Sequence, residues 1–316
     1  MLNLFFLIIS LAIIIVAANF LVDGASSLAK RLGLRDMVIG LTVVAFGTSA
    51  PELTVNVFSA IKGSTDIAFG NIIGSNLCNI LLILGLSAVI RPIPVAKSMR
   101  NNDIPFSLLA ALMVFILGND VLIDHSTMGN VLTQSDALTL LAFFIIFLTY
   151  TFKSAQQTPV DENINALPMW KTLLWISIGL GGLFFGGKIL VDNAVELARL
   201  IGITEKVIGL TIIAVGTSLP ELATSAVAAY KKKADIAIGN VVGSNIFNIF
   251  FVMGITPLIR NVPLGTSANF DLYAVLFATV LLFVTAPLIG KKKWAISTGI
   301  LFLLLYALYV TILIIK

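Results

Sequence analysis

Apolar runs of about twenty residues, each closed by a short polar or charged break, recur along the whole chain. A helix crossing the hydrocarbon of a bilayer takes about 20 apolar residues. The runs predict ten such helices, at about 2–30, 36–61, 65–90, 103–119, 134–153, 171–200, 205–230, 234–258, 271–289 and 293–315. The longest hydrophilic interruption, Lys153 to Lys171, carries Gln156, Gln157, Pro159, Asp161, Glu162 and Pro168 and divides these spans five and five. The expected organisation is a first unit of 1–153, a polar loop of 154–170 and a second unit of 171–316. Leu2 to Val22 lacks a positive start and a small-residue cleavage pattern, so it reads as a retained span of a mature chain that begins at Met1.

Composition agrees with the pattern: of 316 residues, 58% are hydrophobic and 11% charged, with mean hydropathy +1.04. Soluble domains carry about 25% charged residues, so the chain is an integral membrane protein with no room for a soluble domain between spans. The net charge of +4 is confined largely to loops and speaks for orientation in a bilayer, with no nucleic acid as partner. Cys78 is the single cysteine, which excludes an intramolecular disulfide, and its apolar flanks place it in core packing. His125 falls in a loop and is assigned no role.

Within these apolar runs the chain repeats itself. GLTVVAFGTSAPEL (Gly40 to Leu53) returns as GLTIIAVGTSLPEL (Gly209 to Leu222), identical at 10 of 14 positions at an offset of 169. At the same offset, DIAFGNIIGSNLCNI (Asp66 to Ile80) returns as DIAIGNVVGSNIFNI (Asp235 to Ile249), identical at 10 of 15 positions. Asp23 and Asp192 also match, at positions that suit an interfacial or an access-path role equally. The first three spans of each half therefore correspond.

Charge gives the orientation. Loops after odd-numbered spans hold fourteen Lys and Arg, whereas the opposite side, termini included, holds five. The positive-inside rule puts the odd loops, including the central one, in the cytoplasm and both termini outside. Five spans per half invert the second half relative to the first, and inverted repeats place a site near the bilayer midplane on interrupted helices.

A carboxylate within an apolar span costs about 2.5–3.5 kcal/mol on insertion scales, and Glu52 and Glu221 occupy matching positions. Ala45, Thr48, Ser49 and Glu52 are spaced i, i+3, i+4, i+7, which sets two hydroxyls and a carboxylate on one helical face; Ala214, Thr217, Ser218 and Glu221 repeat it. Pro51 and Pro220 kink these helices and release carbonyls beside each glutamate. Ser75 with Asn79, and Ser244 with Asn248, add one hydroxyl and one amide per half, while Asn71, Asn76, Asn240 and Asn245 suit helix contacts or caps. Gly70 and Gly74, and Gly239 and Gly243, form small-residue stripes for close helix approach. Lys188 reads as a lysine that snorkels to the interface. The collected donors are hard oxygens, suited to Ca²⁺, Na⁺ or Mg²⁺ and poorly to Zn²⁺ or Cu⁺. Two carboxylates neutralise one divalent or two monovalent cations, so Ca²⁺ and Na⁺ could compete for one cage.

The paired GTSxPE and GSNxxNI motifs resemble the alpha repeats of the sodium/calcium exchanger family, within the cation/calcium antiporter superfamily, and the resemblance covers essentially all ten spans. It implies an all-α integral membrane fold of ten transmembrane helices in two inverted five-helix repeats. It also implies a secondary antiporter of the cell membrane rather than an enzyme, with no cofactor, and with Na⁺ and Ca²⁺ as transported ions. By the same resemblance Glu52 and Glu221 serve both the calcium and the sodium sites. Thr48, Ser49, Thr217 and Ser218, with the carbonyls of Ala45 and Ala214, line outer sodium sites that Ser75 and Ser244 complete, while Asn79 and Asn248 face the centre. Helices 1 and 6 of the family are long, tilted and thought to slide between access states. Potassium-dependent relatives carry aspartate where this chain has Asn248, which favours potassium-independent exchange. A Ca²⁺/H⁺ exchanger is the alternative, ahead of a cation channel or a non-transporting scaffold.

Overall fold

The computed structural model of the protein describes residues 2–123, 125, 129–155, 166–200, 214–265, 268–288, 293–294 and 296–315. Nearly all of them are helical. Apart from the single turn Asp120–Ile123, the helices are α1 (Leu2–Arg31), α2 (Asp36–Thr48), α3 (Ala50–Lys62), α4 (Thr65–Ile90), α5 (Met99–Leu117), α6 (Gln134–Ala155), α7 (Met169–Leu200), α8 (Ala214–Thr217), α9 (Leu219–Tyr230), α10 (Ala234–Ile259), α11 (Ala268–Leu288) and α12 (Ile296–Ile315). Among the described residues, eight of these are long and apolar enough to cross a membrane singly, and α2 with α3 forms a further span bent by 44°. The seventh expected span begins in residues 201–213, outside the described residues; its described part is α8 and α9.

Loops depart from the purely helical expectation in two places. Ile93–Pro94 (β1) pairs antiparallel with Lys293–Trp294 (β4), and Asn130–Leu132 (β2) with Val262–Leu264 (β3). Each ladder joins a loop of the first half to a loop of the second and satisfies backbone groups that the helices cannot.

The helices that carry the second repeated motif occupy the centre. In α10, 94% of the most apolar stretch is buried, and in α4 78%, against 11% in the peripheral α12. Both contain a widened π-helical turn, Cys78–Leu84 in α4 and Phe247–Val252 in α10, and α2 contains another at Gly40–Val44. Such turns concentrate at functional sites because they re-aim side chains without ending the helix. Cys78 lies in the core, as its flanks suggest.

Glycine sets the close approaches. A Cβ at Gly239 or Gly243 would fall 2.8 or 2.5 Å from the carbonyl oxygens of Met37 and Leu41, so α10 packs backbone to backbone on α2. Gly70 and Gly74 meet nothing within 4 Å among the described residues, and the segment matching 37–41 of the first half lies in the undescribed 201–213. The long helices α1 and α7 lie against each other through Gly24, Gly179, Gly182 and Gly186; a Cβ on Gly179 would sit 2.7 Å from the backbone nitrogen of Leu21.

Candidate ion site

The expected proline kinks are realised as helix breaks. Pro51 and Pro220 stand in the first turns of α3 and α9, where a missing N–H costs nothing. The break residues adopt almost one conformation, with φ −85°, ψ 9° at Ser49 and φ −88°, ψ 8° at Ser218. Glu52 and Glu221 follow three residues later, in the first turn of each new helix, where the positive end of the macrodipole favours a carboxylate.

Each glutamate is held from both halves of the chain. Ser49 Oγ donates to Glu221 Oε1 at 2.7 Å, and Ser218 Oγ donates to Glu52 Oε1 at 3.3 Å. From within each half, Ser75 Oγ donates to Glu52 Oε1 at 3.3 Å and Ser244 Oγ to Glu221 Oε1 at 3.4 Å. All six side chains are buried at 1% exposure or less.

Thr48 and Thr217 turn to amides of the opposite half. Thr48 Oγ1 donates to Asn240 Oδ1 at 3.1 Å, with a longer contact of 3.4 Å to the Ala45 carbonyl, and Thr217 Oγ1 donates to Asn71 Oδ1 at 3.3 Å. Asn71 and Asn240 in turn donate to the backbone carbonyls of Glu52 and Glu221. These two asparagines thus make helix contacts, as their residue type suggested. The Ala45 carbonyl also accepts the Ser49 N–H at 3.0 Å, and Ser218 N–H donates to the Val215 carbonyl, three residues back, at 3.1 Å.

At the centre, Asn79 Nδ2 donates to Asn245 Oδ1 at 3.0 Å, and both Asn79 and Asn248 lie in the π turns. Among the described residues, Oε2 of Glu52, Oε2 of Glu221, Oδ1 of Asn79 and both amide atoms of Asn248 are buried without a hydrogen-bond partner. Buried polar atoms are as a rule satisfied. Two carboxyl oxygens and two amide oxygens left over in one region form a donor set for a hard cation.

Two residues of this network carry no signal in the repeated motifs. Asn56 is fully buried and accepts from Asn71 at 2.8 Å, and its counterpart Ser225 accepts from Asn240 at 3.0 Å. Their positions four after Glu52 and Glu221, on the same helical face, are the signal that marks them. Asp23 is ion-paired to Lys231 at 2.7 Å and to Lys233 at 3.2 Å, which ties α1 to the turn between α9 and α10, while Asp192 makes no ion pair among the described residues.

The helix α7 walls the site. Its Leu183 and Phe184 border two grooves, one of about 710 Å³ that reaches Thr48, Pro51 and Pro220, and one of about 260 Å³ that reaches Thr217 and is edged by Thr54, Lys188 and Asp192.

Comparison with known proteins gives this geometry a family. The family model described as sodium/calcium exchanger protein matches residues 2–153 and 171–315. A putative antiporter, CaxA, of Alkalimonas amylolytica is 37% identical over 298 residues, covering 91% of each chain. The sodium/calcium exchanger MaX1 of Methanosarcina acetivorans is 29% identical over 346 residues, covering 98% of each. A solved structure of the sodium-calcium exchanger NCX_Mj superposes with a TM-score of 0.84 at 32% identity, covering 98% of each chain. Two glutamates held across matched helix breaks, in a multi-pass helical membrane protein of this likeness, place the chain in the sodium/calcium exchanger family of cation antiporters.

Proposed function

We propose that the protein exports Ca²⁺ from the cell in exchange for entering Na⁺, across the plasma membrane and without need of K⁺. The observation that carries this reading is the pair Glu52 and Glu221, each with one oxygen engaged by serines of both halves and one oxygen unpartnered among the described residues. Two carboxylates balance one Ca²⁺ or two Na⁺, so the ions compete for one cage. Glu52, Glu221, Asn79 and Asn248 surround the calcium position. Ser49, Thr48, Ser244 and the Ala45 carbonyl, and likewise Ser218, Thr217, Ser75 and the Ala214 carbonyl, line two outer sodium positions beside it.

In the same reading the chain forms ten transmembrane helices in two inverted repeats, 1–153 and 171–316, joined by the cytoplasmic loop 154–170, with both termini outside. The sequence identity at an offset of 169 and the near-equal break geometry at Ser49 and Ser218 support the repeat. Alternating access then follows from movement of α1 with α7 across the site, since α7 borders both grooves. Amides at both central positions, Asn79 and Asn248, support independence from K⁺. If more than two Na⁺ enter per Ca²⁺, the membrane potential assists export.

Purified protein sealed into liposomes tests this directly. Ca²⁺ uptake should follow an outward Na⁺ gradient and ignore K⁺ and H⁺ gradients imposed separately. Uptake that follows only the H⁺ gradient would transfer the protein to Ca²⁺/H⁺ exchange, and single-channel current would remove antiport altogether.

A further inference from the structure

Below the ion-facing side chains lies a second polar layer, and the two halves build it differently. In the first half it runs from Ala68 and Thr256 through Asn56 and Asn71 to Thr217. Every hydrogen bond in that run has a forced direction. The Ala68 carbonyl can only accept, and the Thr256 hydroxyl has given its hydrogen to the Val252 carbonyl at 2.8 Å, so it too can only accept. Asn56 must therefore turn its Nδ2 toward both, at 3.1 and 3.2 Å. Its Oδ1 is left facing Asn71, whose Nδ2 donates to it at 2.8 Å and also reaches the Glu52 carbonyl at 3.5 Å. The Oδ1 of Asn71, which can only accept, then faces Thr217, whose hydroxyl donates to it at 3.3 Å. A hydroxyl that donates to Asn71 turns its lone pairs away from that amide, and only lone pairs bind a cation.

The second half lacks this chain of obligation. At the position matching Asn56 stands Ser225, a hydroxyl that can donate or accept, 3.0 Å from Asn240 Nδ2. At the position matching Thr256 stands Ser87, whose Oγ is buried without a partner among the described residues. The orientation of Asn240, and with it the direction of the Thr48 hydroxyl, rests on a single obligate acceptor, the Glu221 carbonyl at 3.4 Å.

We propose that Asn56 is a positioning residue, which fixes the Thr217 hydroxyl as a lone-pair donor to Na⁺ and so sets the sodium affinity of one of the two outer positions. The proposal rests on the exchanger reading above. Asn56→Ser, which copies the second half, should raise the Na⁺ concentration for half-maximal exchange by about three- to tenfold, the worth of one neutral hydrogen bond. The half-saturating Ca²⁺ concentration should move less than about twofold by the same measure. The isosteric Asn56→Asp, protonated in the buried layer, donates to Ala68 and accepts from Asn71, and should restore native Na⁺ dependence. In a Thr217→Ala background, Asn56→Ser should have no further effect on Na⁺ dependence.

Equal shifts for Na⁺ and Ca²⁺, or an undiminished Asn56→Ser effect in the Thr217→Ala background, would make Asn56 a packing residue and overturn the proposal. Where Asn56→Ser does not purify as a folded protein, Asn56→Asp decides alone: native Na⁺ dependence supports the proposal, and a shift that persists in the Thr217→Ala background overturns it. Native protein that shows no Na⁺-driven uptake would instead dismiss the exchanger reading, a result separable from any of these.

Discussion

Ser49 Oγ lies 2.7 Å from Glu221 Oε1, whereas the matched pair, Ser218 Oγ and Glu52 Oε1, is 3.3 Å apart. Sequence symmetry is thus broken at the carboxylates themselves. A short hydrogen bond to a charged acceptor is worth about 1.5–3 kcal/mol, and a long one less. Ser49→Ala should therefore weaken Na⁺-driven Ca²⁺ uptake more than Ser218→Ala, by about three- to tenfold in apparent Na⁺ affinity. Equal losses in parallel liposome assays would show that the difference in length has no energetic weight.

Replacing either carboxylate by its amide keeps shape and removes charge. Glu52→Gln and Glu221→Gln should each lower exchange by about a hundredfold or more, beyond the roughly 10–100-fold typical of outer-shell partners of a bound ion. Both side chains are fully buried, so thermal unfolding in detergent is the necessary control and should change little. Full uptake by either variant would dismiss a shared cage.

At the centre, Asn248 offers two buried atoms without partners among the described residues. Asn248→Asp adds a third carboxylate to the cage. Ca²⁺ uptake by this variant should become stimulated by K⁺, and uptake measured with and without K⁺ in the liposome checks it. Potassium stimulation of the native protein would contradict the proposed independence.

The glycine contacts between α1 and α7 can be probed one methyl at a time. Gly179→Ala drives a methyl to within 2.7 Å of the Leu21 backbone and should cost about 1–3 kcal/mol, as overpacking does. Gly181→Ala, two residues on, meets nothing within 4 Å among the described residues and should be neutral or slightly stabilising. Paired melting curves decide between them.

The ion pairs of Asp23 with Lys231 and Lys233 join α1 to the α9–α10 turn, and their side chains are 24–35% exposed. Pairs this accessible contribute about 0–1 kcal/mol. If α1 moves in each cycle, the pairs break each time, and Asp23→Asn should raise turnover up to about fivefold, the kinetic equivalent of that energy, with half-saturation unchanged. A turnover that falls instead would show that the pair holds a productive conformation.

Much of the site was legible because its chemistry is written twice. Glu52 and Glu221, Ser49 and Ser218, and Ser75 and Ser244 are marked by repetition within apolar sequence, and the structure brings all six together. Asn56 escaped because its counterpart is a serine, so the offset that reveals the others conceals it. The π turns left no trace, since an extra residue in a helical turn is decided by packing on neighbouring helices and not by hydrophobic period. The β1–β4 and β2–β3 ladders were equally silent, as each joins loops far apart in the chain.

The π turns at Cys78–Leu84 and Phe247–Val252 have a consequence for how each central helix divides its labour. An α-helix advances about 100° per residue, so one extra residue in a turn rephases everything beyond it by about that angle. Below the turn, Ser75 and Ser244 aim at the glutamates; above it, Gly85 meets α12 at Gly299 and Gly254 meets α6 at Leu141. The two segments answer to different neighbours and are clocked separately. Deleting one residue inside either turn would bring both onto a single phase, and the helix would then keep its ion-facing oxygens or its seat in the bundle, but not both.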